Sequence, residues 1–395
     1  MKLLQSYSRS VSVPIKHRPK IYSKYFPLPS DLTKYITIQT KSGMSSKDYS
    51  YFDEVINILK PYLDKENIKI LHIGQDSVPL NHSINLNNQT NIGQSYYIIK
   101  NSLLHLSIDS WSVHAACAEN VPCVALYGST TIENHSPYHF DPKKSIFIES
   151  NRSGKKASFA REENPKTVDL IPPEQVAEAA CKLLSMDFNY PYKTIYTGKS
   201  FHNKMFESDC TGVINTPQIG LQAIIMRMDY NFNLDILIKQ MSICKVSIIT
   251  NVIIPINILI QFRSQILEIV YKVEKNNNSE FIKQLIENKF KFNMFSELSD
   301  EELNQIKLDY IDYGIIHQRK WMEMPEQLKD KDLNNIYYKS SKITASNSGL
   351  YQSKWALDNG LKIPSLLSEP QKLQDKDLSI LFRESEYLLF LQKVS

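Results

Sequence analysis

The sequence has 395 residues, which is enough for two domains and long for a single core. Hydrophobic residues make up 42% and charged residues 22%, as is ordinary for a soluble globular protein. The 46 Lys and Arg nearly balance the 42 Asp and Glu, so the net charge of +4 indicates neither a nucleic-acid partner nor a membrane-surface partner.

Residues 1–34 are predicted to form an extended lead-in, because prolines between Pro14 and Pro29 oppose regular structure. The amino-terminal segment up to Pro14 lacks the apolar region of a signal peptide. The five cysteines form no C-x-x-C pair and are odd in number, so neither a zinc site nor a disulfide framework is expected. The most apolar stretch, residues 246–260, is too short and interrupted to span a bilayer. These features predict a cytoplasmic protein without a transmembrane segment.

Strands and helices alternate through residues 35–190, which predicts a parallel α/β sheet with right-handed crossovers. The predicted strands are Tyr35–Thr40, Ile68–Ile73, Leu103–Ile108 and Pro122–Tyr127, and the predicted helices are Tyr51–Leu63, Tyr96–Lys100, Trp111–Glu119 and Pro173–Leu184. The fold class predicted for this region is therefore α/β.

Residues 191–330 are predicted to form a second, smaller Rossmann-like α/β domain, and residues 331–395 a mixed α/β tail. Residues 187–209 resemble a linker with no regular pattern. The predicted elements after it are strands Ile224–Asp229, Lys245–Thr250, Leu267–Val273 and Ile336–Ala345, and helices Ser279–Asn288, Asp300–Tyr313 and Ser353–Asn359. Ser299 and Glu302 are placed to form a capping box.

The strongest motif is Ser107–Thr131, which reads as strand, tight loop, helix, proline-led strand and Gly-Ser-Thr-Thr loop. In an open α/β sheet, ligands bind at the carboxyl ends of the strands. The helix that starts near Ser110 would present free N–H groups and a positive dipole end to a diphosphate. Gly128–Thr131 would add backbone and hydroxyl donors, and a strand-end glycine in a chain with 11 glycines needs a specific reason.

This segment resembles the D-[ST]-G-P-x-H-x-A-A…G-x-P-x-V-x-L-[FY]-G-x-T stretch of the ADP-heptose:lipopolysaccharide heptosyltransferases, glycosyltransferase family 9. The matching residues are Asp109, Ser110, His114, Ala115, Ala116, Pro122, Val124, Leu126, Tyr127, Gly128 and Thr130. Lys47 stands in the loop where the family has a phosphate-contacting lysine, whereas Trp111 and Ser112 replace the family's Gly-Pro. The resemblance covers about half of the chain and implies a GT-B-like fold with residues 35–190 as its donor-binding domain.

The resemblance implies a glycosyltransferase that moves a sugar from a nucleotide-diphosphate-sugar donor to a glycan or other hydroxyl acceptor. The donor contacts that it implies are Lys47, Asp109, Ser110, His114, Gly128, Ser129 and Thr130. Asp76, just past Gly74, is a further candidate for contact with a ribose or donor sugar, although a turn role is the simpler interpretation.

In the family, an acceptor domain that carries a catalytic Asp precedes the donor domain. Only the short lead-in precedes Tyr35 here, so we look for the base in the second half of the chain. The stretch Ile224–Asp229 reads as a strand that ends in an acidic residue. Asp229 is therefore the first candidate for the base that deprotonates the acceptor hydroxyl, and Arg227 is a candidate phosphate or acceptor contact.

His135 and His139 have a four-residue spacing in a proline-containing loop, which is weak evidence for a metal. GT-B enzymes characteristically act without one, so we expect no metal and no other cofactor. Two alternatives to the transferase stay open. One is a non-catalytic nucleotide-sugar-binding or glycan-binding protein that keeps the donor domain. The other is a nucleotide-sugar epimerase, which shares the GT-B architecture and needs acidic residues and a His around the sugar.

Overall fold

A computed structural model describes residues 2–18, 21–30, 32–76, 78–276, 279–365, 369–374 and 376–394. The chain divides into two compact units, one of residues 1–194 with 394–395 and one of residues 195–393. Among the described residues, no helix is both long and apolar enough to cross a membrane.

The first unit contains a six-stranded sheet in the order β3-β2-β1-β4-β5-β6, and every neighbouring pair is parallel. Its strands are β1 (Tyr35–Gln39), β2 (Lys69–His72), β3 (Ile84–Asn85), β4 (His105–Ile108), β5 (Cys123–Tyr127) and β6 (Ser145–Glu149). Its helices are α1 (Leu3–Ser10), α2 (Phe52–Lys65), α3 (Ile92–Lys100), α4 (Trp111–Ala118), α5 (Ile132–His135) and α6 (Pro173–Leu183). The predicted α/β fold class is confirmed.

Burial of both faces of the central strands explains this layered arrangement. All five residues of β1 and all four of β4 are buried, as expected for strands covered by helices on both sides. Helix α2 buries the apolar face that its spacing predicts, including Val55, Leu59 and Leu63, and it packs against α6.

Two parts of the first unit differ from the sequence-based prediction. The extended lead-in is wrong over α1, because its prolines all follow Ser10 and do not oppose a helix before that point. Lys2 anchors the start of this helix by donating to Ser136 Oγ at 2.9 Å and to Pro137 O at 2.8 Å. Strands β3 and β6, at the two edges of the sheet, were also not predicted, and β3 has only two residues, both exposed.

The second unit contains a nine-stranded sheet in the order β13-β12-β11-β10-β9-β8-β15-β16-β17. Its strands are β8 (Met205–Ser208), β9 (Ala223–Arg227), β10 (Lys245–Thr250), β11 (Ile266–Lys272), β12 (Phe292–Ser296), β13 (Ile316–Gln318), β15 (Lys342–Ser346), β16 (Gly349–Tyr351) and β17 (Lys362–Ile363). The strands from β13 to β15 are parallel, and β16 and β17 are antiparallel. The second unit is thus also α/β, with a mixed sheet.

A four-stranded sheet in the order β18-β14-β19-β7 accompanies the nine-stranded sheet. Its strands are β7 (Tyr192–Thr197), β14 (Ile336–Ser340), β18 (Gln371–Lys372) and β19 (Leu388–Lys393). The helices after the first unit are α7 (Leu234–Met241), α8 (Ile256–Gln261), α9 (Glu280–Glu287), α10 (Asp300–Ile306), α11 (Lys354–Asp358) and α12 (Ser379–Arg383). The capping box of Ser299 and Glu302 at the start of α10 is confirmed.

In the second half of the chain, the observed elements differ from the predicted ones because strands that are distant in sequence pair with each other. The predicted linker, residues 187–209, contains β7 and β8, and β8 pairs with β15, which lies near the other end of the second unit in sequence. The single strand predicted for Ile336–Ala345 is two strands, because β14 pairs with β19 whereas β15 joins the nine-stranded sheet. Residues 331–395, predicted as a tail, therefore supply strands to both sheets.

The loop after β5 passes very close to another part of the first unit. A Cβ atom added at Gly128 would lie 2.4 Å from the backbone nitrogen of Val168, which is buried in a short 3-10 turn. Only glycine permits this approach, so a packing constraint explains why glycine ends this strand.

Replacement of Gly128 with alanine is expected to lower the free energy of unfolding by about 1–3 kcal/mol, because the added methyl group overpacks the contact with Val168. Denaturant unfolding measures the change. Gly43→Ala is the matched control, because a Cβ at Gly43 meets no atom within 4 Å. Equal stability of the two variants would contradict the close approach.

Candidate functional site

The candidate site lies where the order of the strands in the first sheet reverses. Strand β1 has β2 on one side and β4 on the other, so successive strands run outward in opposite directions from this point. At such a reversal the loops that follow the two central strands diverge and leave a crevice at their carboxyl ends. Lys47 follows β1 and Asp109 follows β4, so the fold brings the two predicted residues to this crevice.

Lys47 and Asp109 form an ion pair at the centre of the site. Lys47 Nζ lies 2.8 Å from Asp109 Oδ2, and the two side chains are only 13% and 6% exposed. Thr130 Oγ1 donates a hydrogen bond of 2.8 Å to the same carboxylate oxygen. Three of the predicted donor residues, from three separate loops, therefore meet at one atom.

The lysine loop is also attached directly to the loop after β5. Lys47 ends a 3-10 turn that starts at Ser45, and Ser46 Oγ lies 3.0 Å from Ser129 Oγ. Arg152 donates from Nε to the carbonyl of Gly128 at 2.9 Å and pairs with Glu149. The sequence gives no signal for this role of Arg152, because its partners in the loop are backbone carbonyls.

Helix α4 points its amino terminus into the site. Among the described residues, the N-cap Ser110 accepts no hydrogen bond from the helix, so its hydroxyl leaves the first-turn N–H groups uncapped. Ser110 Oγ instead lies 2.9 Å from Ser112 Oγ and 3.2 Å from Ser107 Oγ. Uncapped N–H groups and the helix dipole favour an anion at this position.

A buried histidine forms a hydrogen bond with this serine cluster. His105 Nε2 lies 2.8 Å from Ser112 Oγ and its Nδ1 lies 2.9 Å from Thr37 Oγ1. Burial lowers the pKa of His105 to about 3, so the ring is neutral at physiological pH. Sequence reasoning missed this residue, although a polar side chain in the apolar stretch LLHLSI is a usable signal, since buried polar groups need partners.

The other two predicted residues of the first unit differ in their surroundings. His114 is exposed on α4 and lies within electrostatic range of Asp109 and Lys47, so it belongs to the same cluster. Asp76 Oδ2 accepts a hydrogen bond of 2.8 Å from Thr40 Oγ1, and its Oδ1 accepts from Val78 N at 3.0 Å. The contact with Val78 is that of a turn residue, whereas the contact with Thr40 joins the loops that follow β1 and β2.

Asp229 lies in the second unit and is held by Arg227. The guanidinium donates to Asp229 through two hydrogen bonds of 2.8 Å, one to each carboxylate oxygen. Arg227 Nη1 lies 3.1 Å from Glu207 Oε2, and the side chain of Asp229 is 2% exposed. Both carboxylate oxygens of Asp229 are therefore occupied by Arg227 within the second unit. The same contacts leave Arg227 engaged within the protein.

The two histidines that were weighed as metal ligands pack against aromatic rings. His135 packs against Phe159, with ring centroids 5.6 Å apart, and His139 packs against Tyr138. In the described part of the chain, no group of three or more His, Cys, Asp or Glu is arranged to hold a metal ion.

Comparison with known families agrees with the motif. Residues 23–167 match the model of glycosyltransferase family 9, the heptosyltransferases. This segment resembles that family, and the resemblance predicted from the sequence is confirmed. The matched residues include Lys47, Asp109 and Thr130, and they end within the 3-10 turn that packs against Gly128. No curated protein matches the chain.

Solved structures show weaker similarity. They include a family 9 glycosyl transferase from Veillonella parvula (21% identity, 46% of this chain and 50% of that chain, TM-score 0.32). Others are the ADP-heptose LPS heptosyltransferase II of E. coli (18%, 40% and 48%, 0.31) and the iron-containing dodecameric glycosyltransferase TibC of enterotoxigenic E. coli (13%, 42% and 50%, 0.33). The chain spans about half the length of these proteins.

The pH dependence of stability tests the buried His105. Its pKa in the folded chain is about 3, below the ordinary 6.5, so the folded state excludes a proton that the unfolded state binds. This contribution is complete above pH 6.5 and is lost as the pH falls towards 3. Between pH 7 and pH 5 the loss is expected to be about 2 kcal/mol.

His105→Asn is expected to remove this part of the pH dependence in denaturant unfolding at pH 7, 6 and 5. His17→Asn, which changes an exposed histidine, serves as the control and should behave like the wild type. A His105→Asn protein that loses as much stability between pH 7 and pH 5 as the wild type would contradict the buried neutral ring.

Proposed function

We propose that the first unit binds a nucleotide-diphosphate sugar and that the protein is a glycosyltransferase. The sugar would pass to a hydroxyl acceptor such as a glycan. One observation carries this proposal: Lys47, Asp109 and Thr130 converge where the strand order reverses, inside the segment that matches the family model. A lysine, a helix amino terminus and a serine–threonine loop together are suited to a diphosphate.

In this proposal the diphosphate lies between the ammonium group of Lys47 and the amino terminus of α4, beside the hydroxyl of Ser129. Transfer breaks the bond between the sugar and the diphosphate, and negative charge develops on the departing phosphate oxygen. Fixed positive charge and N–H donors placed at that oxygen lower the barrier. Asp109 carries the same sign of charge as the phosphates, so we assign it to positioning Lys47 and Thr130 and not to donor contact.

A second candidate function is nucleotide-sugar binding without turnover. The observation that favours it is the pairing of Asp229 with Arg227, which occupies the base that the sequence pointed to. The two candidates share the donor site and differ in chemistry. Consumption of the bound nucleotide sugar distinguishes the transferase from the binding protein.

Titration calorimetry with a panel of nucleoside diphosphates and their sugars tests the donor site. Lys47→Gln is expected to weaken binding about 10-fold to 100-fold, since a charge-assisted hydrogen bond contributes about 1.5–3 kcal/mol. Asp109→Asn should weaken binding less, and the double variant should match Lys47→Gln, because Asp109 acts through the lysine. Lys60→Gln, on the exposed face of α2, is the control.

The double variant also separates binding from folding, since it removes both charges of the pair and leaves neither one buried alone. Wild-type protein that binds no nucleotide sugar would contradict the donor site. Binding with release of the nucleoside diphosphate or transfer of the sugar supports the transferase. Binding with neither supports the second candidate.

A further inference from the structure

A separate pocket lies within the second unit at the carboxyl ends of its parallel strands. It has a volume of about 210 Å³ and is lined by residues that end or follow β9, β11, β12 and β13 and by residues of α11 and α12. The carboxyl edge of parallel strands is where ligands bind in open α/β sheets. The lining is dominated by charged side chains, so the balance of charges decides what the pocket accepts.

Each carboxylate that lines the pocket already pairs with a cation of the protein. Asp229 pairs with Arg227 at 2.8 Å, and Glu297 pairs with Lys272 at 2.9 Å. Asp358 pairs with Lys354 one turn before it on α11. The remaining carboxylate, Glu384, pairs with the buried Lys342 at 2.5 Å. Every acidic group of the pocket is therefore paired within the protein, and Arg227, Lys342 and Lys272 pair in addition with Glu207 or Glu274.

Two arginines that line the pocket take no part in these ion pairs. In the described part of the chain, neither Arg319 nor Arg383 has a carboxylate within ion-pair distance. Both lie over the ring of Trp321, with guanidinium carbons 5.2 Å and 5.0 Å from the ring centroid. The indole face attracts both cations and brings two like charges to one ring. The pocket thus holds two guanidinium groups that no carboxylate of the described chain pairs with.

We propose that this pocket binds a dianionic phosphate group, either free phosphate or a small phosphate monoester, through Arg319 and Arg383. A phosphate dianion offers one negative charge to each of the two unpaired guanidinium groups, and guanidinium forks suit its oxygens. A single carboxylate would neutralise only one of the arginines. The volume of 210 Å³ is below the roughly 300–1,000 Å³ of pockets for drug-sized ligands, which suits a small anion. This inference does not rest on the proposed function.

Tryptophan fluorescence and calorimetry on the full chain test the proposal, at constant ionic strength in phosphate-free buffer. The Lys47→Gln/Asp109→Asn double variant serves as the starting protein, because it weakens anion binding at the proposed donor site and leaves neither charge of that pair buried alone. The probes are inorganic phosphate, glycerol 3-phosphate and acetate. Phosphate and glycerol 3-phosphate are expected to bind, and acetate at the same concentration is not.

Arg319→Gln and Arg383→Gln are each expected to weaken phosphate binding about tenfold or more, as loss of a charge-assisted contact predicts. Arg263→Gln is the matched control, because Arg263 also lies over an aromatic ring, that of Phe290, in the same unit. Without phosphate, the two pocket variants should melt no lower than the control, since removing one of two like charges relieves repulsion.

Tighter binding of glycerol 3-phosphate than of phosphate would assign the pocket to a phosphate monoester, and the reverse would assign it to free phosphate. Acetate binding as tight as phosphate would overturn the requirement for a dianion. Phosphate binding that survives both arginine substitutions would overturn the site itself. A fall in melting temperature in both variants without phosphate would show that the arginines stabilise the fold instead.

Discussion

The ion pair between Lys47 and Asp109 is the contact on which the geometry of the candidate site depends. It joins the loops that follow two neighbouring central strands, and Thr130 brings a third loop to the same carboxylate oxygen. Because both charges are largely buried, loss of one partner would leave the other uncompensated, at a cost of about 3–5 kcal/mol. The pair therefore fixes the position of the Lys47 ammonium group, and in the proposed function an anion binds between this group and the amino terminus of α4.

The first unit was largely predictable because its signals are local. The central strands are short runs rich in apolar and β-branched residues. Asp109 follows β4 directly, and Lys47 lies in the loop after β1. The reason for Gly128 was not predictable in the same way. The glycine was expected to favour a ligand, whereas its close neighbour is Val168, which lies beyond β6 in the chain. His105 and Arg152 were missed for the same reason, since their roles depend on contacts with other segments.

The second half of the chain was harder to predict because its partners are distant in sequence. Nothing in the local sequence of β8 or β15 indicates that these two strands pair with each other. The turn between β14 and β15 also places residues that are adjacent in sequence in different sheets. Asp229 does end a strand, as its sequence indicates, but Arg227 occupies both of its oxygens. Charge pairing also explains the contrast between the two proposed anion sites. One relies on a paired lysine and a helix terminus, and the other on two arginines left without carboxylates.

Hydrogen–deuterium exchange of the full chain, with and without a saturating nucleoside diphosphate, tests the central claim most directly. The geometry predicts slower exchange at the amides of residues 45–48, at the first turn of α4 and at residues 129–131, because these groups surround the proposed diphosphate. Protection confined to these three segments of the first unit would support the donor site. Bound nucleotide that leaves all three unprotected would contradict it.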